Sequence, residues 1–216
     1  MRPVSIDLHP FRVLFLGILL LCAGLYARPA AAFGGLFAPC AGDCAVAVYA
    51  GHYVEDSMND ILFNEPAFPT EWEFSHDGIV AAAVSREWLN YRERFYLEPE
   101  LGIARRFGEQ NETEVWGAVF LRYRGFPWDH WVTTSIAIST GMNYATGTSE
   151  QEIERNQNDE GSRWLHFLSP EITFALPSQP NVELMFRLHH RSGIFGTING
   201  ARGGNQYGTV GLRWRF

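Results

Sequence analysis

Between Glu93 and Phe107 the chain reads E-R-F-Y-L-E-P-E-L-G-I-A-R-R-F. Phe95, Leu97, Pro99, Leu101 and Ile103 share one parity, while Arg94, Tyr96, Glu98, Glu100 and Arg106 share the other. A period of two is what a pleated strand imposes on its two faces. A soluble sheet buries its apolar parity and wets the charged one. Here carboxylates and guanidinia recur on one face in numbers that can pair: Glu98, Glu100, Glu171 and Glu183 against Arg94, Arg122, Arg187, Arg213 and Arg215. Closing the sheet with that face inside sets the charges against one another and leaves an apolar exterior. That arrangement suits strands in a bilayer, which offers no partner to an open sheet edge.

The same pattern recurs along the chain and predicts eight strands, at 44–54, 78–90, 93–107, 112–124, 131–142, 162–176, 181–192 and 206–216. The number is even and each segment can cross a bilayer at a tilt, so the expected fold is all-β, an eight-stranded antiparallel transmembrane barrel. A lumen of that size is filled by side chains, not by a water column. Short breaks alternate with longer ones, of which 55–77 and 143–161 are the longest, and this places both termini on the short-turn, periplasmic side. The last strand ends T-V-G-L-R-W-R-F from Thr209 to Phe216. Val210, Leu212, Trp214 and Phe216 fall on one face, with Trp214 and Phe216 at the level of an interfacial aromatic belt. The octapeptide resembles the signal that barrel-assembly machinery reads on a final strand, and that machinery is an expected partner.

The N-terminus fits export. An apolar run from Val13 to Tyr26 follows Arg2 and Arg12 and precedes Ala30, Ala31 and Ala32, the layout of a signal peptide spanning 1–32, with the barrel at 33–216. Outside the cytoplasm, Cys40 and Cys44 are expected to close a small disulfide loop, the alternative being two free thiols. The net charge is −7 with no lysine, which argues against nucleic acid and excludes a Walker loop or a Schiff-base lysine. The first long loop is acidic, with Glu55, Asp56, Asp60, Glu65, Glu71, Glu73 and Asp77. Solvation accounts for such a loop, and bridging to lipopolysaccharide phosphates through divalent cations is the other reading.

The motifs G-x-S-x-G, H-E-x-x-H and C-x-x-C are absent, and neither a metal nor a cofactor is expected. One constellation carries chemistry. The seventh predicted strand ends L-H-H-R-S-G-I-F-G from Leu188 to Gly196. Its alternation sets His190 and Ser192 on the outward face with Val182, Leu184, Phe186 and Leu188, while His189 and Arg191 turn inward. About ten residues at roughly 3.3 Å each carry the strand from its periplasmic turn to the outer-leaflet interface. There a general base and a nucleophile would meet an acyl ester at the headgroup boundary. Polar residues emerging into water at a strand end are the plain alternative.

The H-x-S element formed by His190, Arg191 and Ser192, in a small exported barrel, resembles the lipid A 3-O-deacylase (PagL-like) family of outer-membrane esterases. The resemblance implies His190 as base, Ser192 as nucleophile and lipid A of the outer leaflet as substrate. It also implies a glutamate about twelve residues past the serine, completing a triad. The sequence departs there. Gly204 stands at that place, no acidic residue follows Glu183, and Gly193 replaces the asparagine that follows the family's serine. Asn199, Asn205 or Gln206 could orient His190 instead, as could Asp77 or Glu160 from another loop. Gly193 and the glycine-rich stretch to Asn205 could supply oxyanion donors, or serve only as a turn-forming hairpin loop. Arg191 and Arg202 could contact lipid A phosphate. The expected function is therefore an outer-membrane esterase acting on lipid A, the alternative a non-catalytic barrel with a structural or adhesion role. An acyltransferase would carry its polar cluster inside the lumen, against the outward register of His190 and Ser192.

Overall fold

The apolar–polar alternation resolves into ten strand segments: β1 (Cys44–Val54), β2 (Phe74–Arg86), β3 (Leu89–Tyr91), β4 (Phe95–Phe107), β5 (Thr113–Arg124), β6 (Thr133–Ala145), β7 (Trp164–Leu168), β8 (Pro170–Ala175), β9 (Val182–Ser192) and β10 (Gly204–Arg215). The computed structural model describes residues 35–64, 68–148, 150–154, 161–201 and 203–216. The expected signal peptide, together with Glu65, Glu160 and Arg202, lies outside them.

The ten segments make eight crossings, because two crossings are broken. β2 and β3 both pair with β4, and β7 and β8 both pair with β6 and with β9. The second break has a clear cause. Pro170 has no N–H for the ladder, and serines fill the gap. The Ser169 N–H donates to Ser139 Oγ (2.8 Å) and the Ser169 hydroxyl to the Leu188 carbonyl (2.9 Å). Neighbouring crossings pair antiparallel throughout, and β10 joins both β9 and β1, so the sheet closes into a barrel without a free edge.

The faces sort as the alternation requires. Leu101 is 67% exposed while Glu98, on the same strand, is 1% exposed. That inversion marks a lipid-facing exterior. At the end where β1 begins and β10 finishes, Trp214 and Phe216 lie with ring centroids 5.1 Å apart, and Trp128 and Trp131 are exposed on the β5–β6 connection, as an interfacial belt requires. Cys40 and Cys44 are joined by a disulfide with their Cα atoms 5.5 Å apart. Beside it Asp43 accepts from the Ala41 N–H (2.9 Å) and pairs with Arg86 (2.7 Å). These two contacts hold its carboxyl below the usual carboxylate range. Their contribution is present above the ordinary value and fades as pH falls through the lowered one.

Inside, guanidinia and carboxylates interlock. Arg122 meets Glu98 (2.9 Å) and Glu171 (2.6 Å), Arg213 meets Glu98 (3.1 Å) and Glu183 (2.7 Å), and Arg215 meets Glu183 (2.9 Å). Arg187 binds both oxygens of Glu100 at 2.8 Å and Glu171 through Nε at 2.7 Å. Arg94 does not join them. Arg92 and Glu93 take φ of 57° and 55°, and the Arg94 N–H donates to the Tyr91 carbonyl at 3.2 Å. This two-residue hairpin turn starts β4 at Phe95 and leaves Arg94 exposed. The lumen also holds an aromatic and apolar layer, with Tyr49, Trp116, Phe120, Phe167 and Met185 in one buried cluster. Beyond that layer a second polar group forms: Arg106–Glu114 (2.8 Å), His189 Nε2–Glu114 (2.8 Å) and Arg191–Glu152 (3.1 Å). Glu152 comes from a short helix, α1 (Glu150–Glu154), in the β6–β7 connection. Side chains therefore plug the barrel.

Two substitutions test this packing. Glu171→Ala strands Arg122 and Arg187 in the lumen and is expected to cost about 3–5 kcal/mol, read as a lower denaturant midpoint for unfolding from lipid vesicles. Gly211 pairs with Tyr49, and a Cβ there would sit 2.3 Å from the Val48 carbonyl oxygen and 2.4 Å from the Tyr49 Cβ. Gly211→Val is therefore expected to cost at least about 1–3 kcal/mol, visible as a reduced folded fraction by heat-modified electrophoretic mobility.

Candidate functional site

Along β9 exposure alternates, and then it stops. Leu184 and Phe186 are 41% and 39% exposed, whereas Leu188 and His190, on the same outward face, are each 6% exposed. The expectation that His190 meets lipid directly is therefore corrected. The face is outward, but the β1–β2 connection and the first residue of β2 cover it. Trp72 and Phe74, with ring centroids 6.1 Å apart, lie against the bare backbone of Gly208, the β10 partner of Leu188. Gln206, the partner of His190, donates its amide N–H to the backbone carbonyl of Asp56. Ser192 is half-buried at the end of the strand.

The residue that orients His190 follows from register. The Gln206 Oε1 lies 3.0 Å from His190 Nδ1. An amide can be turned either way, and a turned amide would hold the wrong tautomer. The Asp56 carbonyl decides between them, because a carbonyl can only accept. It takes the Gln206 NH2, so Oε1 faces the imidazole and Nδ1 carries the proton, which in the neutral ring leaves the lone pair on Nε2. That is the tautomer a general base requires.

The other candidates are placed elsewhere. Asn205 is buried in the lumen, where it accepts from Arg106 (3.1 Å) and donates to Glu152 (2.7 Å). Its parity, one residue from Gln206, turns it inward. Asn199 spends its amide on the Ser162 hydroxyl (3.0 Å) and the Trp164 carbonyl (3.3 Å). Asp77 accepts from the Glu109 N–H at 2.7 Å and from Gln110 at 3.4 Å. Arg191 is fully buried, bound to Asn143 (3.0 Å) and the Ser162 carbonyl (2.6 Å) as well as to Glu152, so it does not present its guanidinium to an outer phosphate. In the glycine-rich loop, Gly193 is withdrawn as an oxyanion donor, and so are several of its neighbours. The N–H groups of Gly193, Gly196, Thr197, Ile198 and Ala201 all donate to carbonyls within the loop, Gly193 to Gly203 at 3.2 Å. Gly193 is required there because a Cβ would fall 1.8 Å from the Ala201 carbonyl oxygen.

One residue escaped the sequence reading. His166 on β7 stands directly across from Ser192, with Nε2 2.8 Å from the Thr140 hydroxyl. Two histidines therefore flank the serine, one on its own strand and one across the ladder. Only the pairing of β7 with β9 brings residues 166 and 192 together. No hydrogen bond joins the Ser192 hydroxyl to either ring among the described residues, and contacts of this kind commonly tighten only with substrate bound. The arrangement can accept a proton at His190 and offers a hydroxyl two residues away on the same face.

No family model and no curated protein matches the chain. Among solved structures, the crystal structure of the outer membrane enzyme PagL superposes with a TM-score of 0.56 at 12% identity, covering 80% of this chain and 99% of that one. Neisserial surface protein A (NspA) gives 0.48 at 10% identity, over 82% and 98% of the two chains. Ail, the attachment invasion locus protein of Yersinia pestis, gives 0.40 at 12%, over 81% and 99%. At these identities the likeness is one of fold. The closed eight-crossing barrel, its apolar exterior and its aromatic girdle are those of a protein of the bacterial outer membrane.

Proposed function

We propose that the chain is an outer-membrane esterase that removes an ester-linked acyl chain from lipid A, with Ser192 as nucleophile and His190 as base. The observation that carries this reading is the polar chain Asp56 carbonyl–Gln206–His190 on the outward face of β9. A polar chain on a face otherwise given to lipid is costly unless it serves something. Ser192 Oγ gives its proton to His190 Nε2 as it bonds to the ester carbonyl carbon. The bond from that carbon to the alcohol oxygen then breaks, and the alkoxide takes the proton back from Nε2. Water, deprotonated by the same nitrogen, attacks the acyl carbon; the bond to Ser192 Oγ breaks, Oγ takes the proton back from Nε2, and the fatty acid is released. Gln206 holds the ring without the charge that a carboxylate would place beside the imidazolium. PagL, described as an outer membrane enzyme, shares the fold and adds support.

A non-catalytic barrel is the second reading, favoured by the Gly193 N–H, which is spent on Gly203 and so is withheld from an oxyanion. On the same footing we propose that the barrel-assembly machinery reads Thr209 to Phe216.

The test is mass spectrometry of lipid A from an outer membrane expressing wild type, Ser192→Ala, His190→Asn or Gln206→Ala. Wild type is expected to remove one acyl chain, Ser192→Ala and His190→Asn none, and Gln206→Ala to act about a hundredfold more slowly. Lipid A left intact by the folded wild type, with and without divalent cations, would abandon the enzyme for the non-catalytic barrel.

A further inference from the structure

At the short-turn end a cavity of about 570 Å³ opens to the outside, lined by Tyr91, Arg92, Arg94, Phe95 and Tyr123. The hairpin turn between β3 and β4 builds it. With Arg92 and Glu93 in left-handed backbone and Arg94 returning to Tyr91, both arginines are displayed at the rim while Glu93 stays out of the lining. The walls are aromatic. Phe95 and Tyr123 have ring centroids 5.1 Å apart, and the Arg92 guanidinium lies 5.1 Å from the centre of the Tyr91 ring. The charges are unusual for this chain. The lumen guanidinia all meet carboxylates, yet neither Arg92 nor Arg94 forms an ion pair among the described residues. Both are exposed in a protein whose net charge is −7.

We infer that this cavity binds the headgroup of an anionic phospholipid of the inner leaflet. Three features fit one occupant. Two exposed arginines match a phosphodiester, whose oxygens accept from guanidinium N–H groups. The rings of Phe95 and Tyr123 lie against the glycerol and first methylenes. The position, at the same end of the barrel as the exposed aromatic residues Trp214 and Phe216, is the side that faces inner-leaflet headgroups. Excess positive charge without a rim carboxylate favours a net anionic headgroup over a zwitterionic one, whose ammonium finds no acid in the lining. The site is independent of the esterase reading, since it lies at the opposite end of the barrel from His190 and Ser192.

The experiment is native mass spectrometry of the detergent-solubilised protein titrated with phosphatidylglycerol, phosphatidylcholine or inorganic phosphate. Wild type is expected to retain phosphatidylglycerol at least about fivefold better than phosphatidylcholine. Arg92→Gln with Arg94→Gln is expected to bring the ratio to one. Arg105→Gln, an exposed arginine near the other rim, should leave it unchanged. All three positions carry exposed arginines, so folding is not at issue. Equal retention of the two lipids by wild type, selectivity that survives in the double variant, or inorganic phosphate binding as well as the lipid would each overturn the assignment.

Discussion

Arg187 holds a positive charge in the middle of a lumen packed with side chains, with both oxygens of Glu100 at 2.8 Å and Glu171 against its Nε at 2.7 Å. A buried guanidinium without partners would cost several kcal/mol. Glu171 stands directly across the ladder on β8, but Glu100 comes from β4, far along the chain, so the bidentate pair forms only when the sheet has curved and closed. Closure and ion pairing therefore depend on each other. The bidentate geometry also fixes register, since sliding β9 by one residue would send Arg187 into lipid and Phe186 into the web.

That constraint explains how the barrel carries a polar site on its outer wall. With the interior locked by Arg122, Arg187 and Arg213, the strands need not contribute their outward faces to stability. β9 can spend two outward positions on His190 and Ser192. The cost of placing them there is met locally, by Gln206 across the ladder and by the β1–β2 connection above. The inward neighbours His189 and Arg191, which alternate with them, belong to the upper polar group with Glu114 and Glu152. Adjacent residues on one strand thus hold up the barrel and equip its surface, and the pleat keeps the two tasks apart.

Much of this was legible in order along the chain. Strand positions and faces followed from alternation because burial on a strand has a period of two whatever its partner. β1 and the C-terminal ends of β4, β5 and β9 lie where the pattern puts them. Expectation failed where a break depends on a single backbone group. Glu93 and Arg94 read as strand, yet the left-handed pair Arg92–Glu93 makes them turn. Pro170 divides one expected strand because its missing N–H cannot enter the ladder. At the site, the shared face of His190 and Ser192 was legible. The choice of Gln206 over Asn199 and Asn205 was not, because it depends on how β10 registers against β9 after the intervening loop. His166 was beyond reach for the same reason.

The sequence by itself determined the class of fold, the inverted faces, the charged lumen and the outward dyad, because each depends on side-chain parity within one strand. Tertiary structure decided which residues meet: that Gln206 faces His190 with its amide fixed by Asp56, that Trp72 and Phe74 cover Gly208, and that Arg191 turns to Glu152 instead of to a phosphate. These are contacts between segments far apart in the chain, set by strand register and loop path. Alternation specifies a face, while register and loop path specify the neighbour.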